Sequence, residues 1–150
     1  MYKIERTEYG FHITLSGLFD ETEAIAYVKE LSRLITEGPI PQGSIIDIRE
    51  VIPPSPQVLE IFNQGFQLAK EIGLKRLAAI VKSPVIKNQA LQLAFLTETD
   101  EIVRVFNVTK TEDWENFSYE WAAHGIEPIY DATFTTAHFF VGKNSPPIPK

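Results

Sequence analysis

The sequence predicts a single α/β domain built on a mostly parallel sheet. Three observations lead there. Short apolar runs alternate with segments whose apolar residues recur at helical spacing, the order that builds βαβ units. One run, Leu77 to Val81, is continuously apolar, as in a strand covered on both faces. A Ser-Pro pair follows a strand twice, at Ser55-Pro56 and Ser83-Pro84, and each pair suits the cap and first residue of a helix.

The elements follow in order. Tyr2 and Ile4 alternate with Lys3 and Glu5, and Phe11, Ile13 and Leu15 alternate with His12, Thr14 and Ser16. Period two marks strands with one buried face. Glu8-Tyr9-Gly10 between them predicts a hairpin. Asp20 and Glu23 have capping-box spacing, and Ala24, Val28, Leu31 and Ile35 form a helical stripe that Gly38 and Pro39 end. Ile45, Ile46, Ile48 and Val51 predict a central strand, which Pro53 and Pro54 terminate. The helix after Ser55-Pro56 buries Leu59, Phe62, Phe66 and Ala69 and is capped by Gly73. After the Leu77–Val81 strand, Ile86, Ala90, Leu93 and Ala94 predict another helix, with Phe95 nearby, and Ile102, Val103, Val105 and Phe106 a further strand. Thr109 and Glu112 read as a last capping box, ahead of a helix carrying Trp114, Phe117 and Trp121. The order is ββαβαβαβα over residues 1–125. Residues 126–150, where four of the ten prolines fall, form a Pro-rich tail with room for one strand or a docking arm around Phe134, Phe139 and Phe140.

Bulk composition narrows the function. The chain has 150 residues, a net charge of −6 and a pI near 5.1, which argue against nucleic acid, whose phosphates need a clustered basic face. With no cysteine, disulfides and thiolate chemistry are excluded. No secretory signal opens the chain and no apolar run is long enough for a membrane span, so a cytoplasmic protein without membrane insertion is expected. His12, His124 and His138 are too dispersed for a metal site, and neither a nucleophile elbow nor a phosphate loop is present. The expectation is a non-enzymatic module with no cofactor and no metal.

Leu15-Ser16-Gly17-Leu18-Phe19-Asp20, Ile45-Ile46-Asp47-Ile48-Arg49-Glu50-Val51 and the element order from Tyr2 to about Gly125 resemble the STAS superfamily, which includes the small stand-alone SpoIIAA-like proteins. The resemblance implies a regulatory or protein-interaction module. Regulatory members carry an Asp-Ser pair at the turn after this strand, and the serine is phosphorylated. Here the matching positions hold Ser55 and Pro56. Proline replaces the acceptor, so the phospho-serine switch is expected to be missing, with Ser55 a displaced stand-in and first of all a helix cap.

Two sets of site residues follow. Asp47, Arg49 and Glu50, where the strand ends, and the turn Pro53, Pro54, Ser55 and Pro56 are candidates for contacting another protein or a second copy of the chain, as is the tail. The alternative is a carrier or sensor of a small, lipid-like apolar ligand held between sheet and helices, with Phe62, Phe66, Phe95, Trp114, Phe117 and Trp121 as candidate pocket residues. Trp114, Phe117 and Trp121 also have the spacing of an ordinary buried helix face.

Overall fold

The computed structural model describes residues 1–128. The proposed tail strand and docking arm, with Phe134, Phe139 and Phe140, lie outside the described residues. Five strands form one sheet, β1 (Tyr2–Arg6), β2 (Gly10–Gly17), β3 (Gly43–Val51), β4 (Arg76–Val81) and β5 (Val103–Asn107), in the spatial order β1-β2-β3-β4-β5. β1 and β2 form the expected antiparallel hairpin, and every later pair is parallel. The helices are α1 (Glu21–Glu37), α2 (Pro56–Glu71), α3 (Pro84–Leu96) and α4 (Trp114–Tyr119), the last running into a π-helical turn over Glu120–His124.

Strand order fixes the layers. Successive parallel strands that step in one direction, joined by crossovers of one hand, carry their helices on one face. α1, α2 and α3 accordingly cover the face that presents Phe11, Ile13, Ile46, Ala79 and Val105. The other face presents Ile45, Ala78, Ile80 and Phe106 to α4 and the π-helical turn, through Trp121 and Ala122. Two hydrophobic clusters therefore sandwich β3 to β5, which is why Leu77–Val81 reads as apolar throughout.

Local chemistry sets the helix ends. Asp20 accepts from the Glu23 amide at 2.8 Å, and Ser55 from the Val58 amide at 3.2 Å. Ser83 accepts from both Val85 and Ile86. The expected Thr109–Glu112 box does not form. Thr109 instead turns back, its amide and hydroxyl both donating to Asn107 Oδ1, and α4 starts only at Trp114. A side chain at the end of β5 thus outcompeted a cap further along the chain.

Gly38 ends α1 for a different reason than expected. Its backbone is extended at φ −148°, so no left-handed turn requires glycine. A Cβ there would run into the guanidinium of Arg6, which donates to the carbonyls of Leu34 and Pro39 at the end of α1. Gly43 is constrained more tightly, because a Cβ would overlap the backbone carbonyl of Ala122 where the π-helical turn crosses β3, whereas the Arg6 side chain can move.

Candidate functional site

The face covered by α1, α2 and α3 is not filled. Between it and the helices lies a cavity of about 90 Å³. Phe11, Ile13 and Ile46 form its floor, with Leu31, Phe62 and Phe66 on the helix side. α1 and α2 pack closely on each other, whereas α3 touches α2 only lightly, and the cavity extends under α3 to Gln89. One end is aromatic. The Phe62 ring stands edge-on to Phe19 at 5.2 Å and to Tyr27 at 6.0 Å. Burial pushes the Tyr27 phenol well above its ordinary pKa, so it stays neutral.

Among the described residues the wall carries no charged side chain. Its polar side chains are Tyr27, Ser44 and Gln89. Ser44, on β3 between Phe11 of β2 and Leu77 of β4, is 4% exposed. Ser44 Oγ and Gln89 Oε1 are both buried without a hydrogen-bond partner among the described residues. Buried polar groups are nearly always paired, so two such oxygens on one cavity wall stand out.

Gly65 also lines the cavity, in the middle of α2. A Cβ there would meet nothing within 4 Å. Glycine inside a helix costs about 1 kcal/mol relative to alanine. Here that cost leaves space empty rather than relieving a clash.

The second candidate region lies on the opposite face, where β3 ends. Asp47 and Arg49 point the same way from one strand, as residues two apart must. Arg49 donates through Nε and Nη2 to the two Asp47 oxygens at 3.0 and 2.7 Å, and its guanidinium lies 4.7 Å from the centre of the Trp114 ring. Burial raises the Asp47 carboxyl, but the hydrogen bonds and charge of Arg49, with the charge of His12, outweigh it and hold the group below the ordinary carboxylate range. Glu50 pairs with Lys82 at 2.9 Å. His12 is half-buried, and its Nδ1 has no hydrogen-bond partner among the described residues.

The predicted site residues divide between these regions. Phe62 and Phe66 line the cavity. Trp114, Phe117 and Trp121 do not, since they pack on the opposite face of the sheet. Phe95 points outward and is 54% exposed. Pro53, Ser55 and Pro56 are exposed at the turn, but Pro54 is buried and faces the cavity. Beside them lie two exposed apolar residues that the sequence reading passed over: Ile52, whose amide donates to the Gly17 carbonyl at 3.0 Å, and Leu18. Ser44, Gln89 and Gly65 were missed as well. An uncapped glycine inside the α2 stripe was the one available signal. Among the described residues there is no cluster of metal-ligating side chains, and no helix is long and apolar enough to cross a membrane.

A solved structure is similar to this chain in overall fold. It is an uncharacterised protein of the DUF3478 family with a SpoIIAA-like fold, from Shewanella loihica PV-4. The alignment has a TM-score of 0.54 at 19% identity, covering 81% of this chain and 92% of that one. The fold is SpoIIAA-like. No family model matches the chain, and no curated protein matches it. Within the SpoIIAA-like fold the cavity lies inside the βα layer, and the Pro53–Pro56 turn stands at the carboxyl end of the parallel strands. Open α/β sheets commonly bind at that edge.

Proposed function

We propose that the chain is a non-enzymatic, cytoplasmic binding module of SpoIIAA-like fold that takes a small apolar molecule between the sheet and α1, α2 and α3. The observation that carries this reading is the cavity kept open at Gly65. Natural interiors pack to near-crystalline density, and unfilled apolar space forfeits dispersion contacts. An alanine would fit at Gly65 and suit the helix better, so the fold leaves stability unused at a position of α2 that lines the cavity. A molecule that fills the space recovers those contacts.

Native mass spectrometry of the protein as purified, beside Gly65→Leu, tests the reading. The wild type should carry a small extra mass or take one up from a set of small hydrocarbons, and the variant, with its cavity filled, should not. Equal uptake by both proteins, or none by the wild type across the set, overturns it.

A second reading is supported by the exposed Leu18, Ile52 and Pro53 at the carboxyl edge of the strands. Apolar groups grouped on a rigid turn suit contact with another protein or a second copy of the chain. Charge placed at Ile52 and Pro53 together should lower partner recovery in a pull-down without lowering the melting temperature. Undiminished recovery counts against this role.

A further inference from the structure

The cavity wall carries more information than its apolar character. A purely apolar ligand would leave Ser44 Oγ and Gln89 Oε1, which have no hydrogen-bond partner among the described residues, unsatisfied. A buried oxygen without a partner is costly, and the cost is relieved by a ligand that supplies the missing hydrogen bond. The two groups differ in what they need. Gln89 Oε1 can only accept, whereas the Ser44 hydroxyl can donate and accept. A hydroxyl on the ligand suits either group, donating its proton to Gln89 or accepting the proton of Ser44.

Charge on the ligand is disfavoured by the same wall. Among the described residues no Asp, Glu, Lys, Arg or His side chain lines the cavity. A carboxylate or an ammonium would enter without a counter-charge, and burying an unpaired ion costs far more than burying a hydroxyl. Size bounds the rest. A single water needs about 10–15 Å³ of such space, so a cavity of about 90 Å³ admits a ligand of several heavy atoms, such as a short chain or a small ring.

Building on the proposed apolar-ligand function, we infer that the natural ligand class is a small neutral alcohol. Its hydroxyl meets Ser44 of β3 or Gln89 of α3, and its hydrocarbon part points toward Phe62 and Phe66.

The test compares three probes of similar size, 1-pentanol, pentane and pentanoate, by NMR titration of the full chain at pH 7. Wild-type protein should bind pentanol at least as tightly as pentane, although water holds the alcohol far better, and should not bind pentanoate. In Ser44→Ala and in Gln89→Met, tested singly so that either one suffices, preference should move toward pentane by about tenfold. Preference for pentane in the wild type, binding of pentanoate in the cavity, or variants with an unchanged ratio each overturn the alcohol assignment while leaving the cavity function standing. An ordered water that already satisfies both oxygens would appear as equal binding ratios in wild type and variants. If neither pentanol nor pentane perturbs resonances around Ile46 and Phe66, the ligand-binding function itself falls, and the alcohol assignment with it.

Discussion

Arg49 grips Asp47 with two hydrogen bonds from the same strand while lying over the Trp114 ring of α4, so one guanidinium ties the end of β3 to the last helix. The Asp47 pair is half-buried and two-pronged, which makes it stronger than a typical surface ion pair. Asp47→Asn should therefore destabilise the domain by about 1 kcal/mol at neutral pH. The Asp47 carboxyl has a lowered pKa in the folded state. Its contribution is fully present above the unfolded value of about 3.9 and is lost as pH falls through the lower folded value. Denaturant melts from pH 7 to pH 2 should show a steeper acid loss for wild type than for the variant.

Ser44→Ala offers a contrast with the usual cost of core truncation. The substitution removes a hydroxyl that has no partner among the described residues, and deleting an unsatisfied polar group is neutral or favourable. Unliganded protein should gain up to about 1 kcal/mol, read as a higher urea midpoint with an unchanged slope. A loss above about 1 kcal/mol would mean that the hydroxyl is satisfied in the unliganded protein.

Gly43→Ala should be among the most damaging single-methyl changes in the chain. The added carbon overlaps the Ala122 carbonyl, a backbone atom that cannot rotate away. Overpacking of this kind costs about 1–3 kcal/mol. Because the clash lies under the π-helical turn, Trp121 should lose its hydrogen bond to the Ile102 carbonyl, and its fluorescence should shift to the red.

Arg104 and Glu127 should respond unequally although they form one ion pair. The Arg104 side chain is 9% exposed and that of Glu127 56%. Arg104 also donates to the Glu101 and Val103 carbonyls and stacks 4.2 Å from the centre of the Trp121 ring. Arg104→Ala should cost about 2–3 kcal/mol through lost packing and unmet carbonyls. Glu127→Ala should cost less than about 1 kcal/mol, as Arg104 keeps its other partners. Thermal melts of the two variants side by side check the asymmetry.

The sequence was legible where one chemical cause acts locally. Asp20, Ser55 and Ser83 cap their helices because their oxygens meet amides two or three residues on, whatever the rest of the chain does. Leu77 to Val81 announced a doubly covered strand for a comparable reason. The start of α4 was misplaced because Thr109 had two partners available, and spacing alone does not rank Asn107 against its own helix. Sidedness was illegible too. Helical periodicity shows that Phe62 and Trp121 each face a core, but only the direction of the crossovers places them on opposite faces of the sheet. A cavity is harder still, since it is a deficit of volume summed over several elements. Gly65 alone hinted at it.

Each strand of the sheet lies directly beside the strand that precedes it in the chain. No strand has to wait for a later segment to be inserted between neighbours, so pairing can advance from the amino-terminal hairpin one unit at a time. During synthesis the domain can thus grow by edge addition, with loop-closure costs confined to single crossovers. The edge exposed at each stage is the template for the strand emerging next. Aggregation risk should concentrate in the interval before β5 arrives, when the apolar β4 stands unpaired on that side.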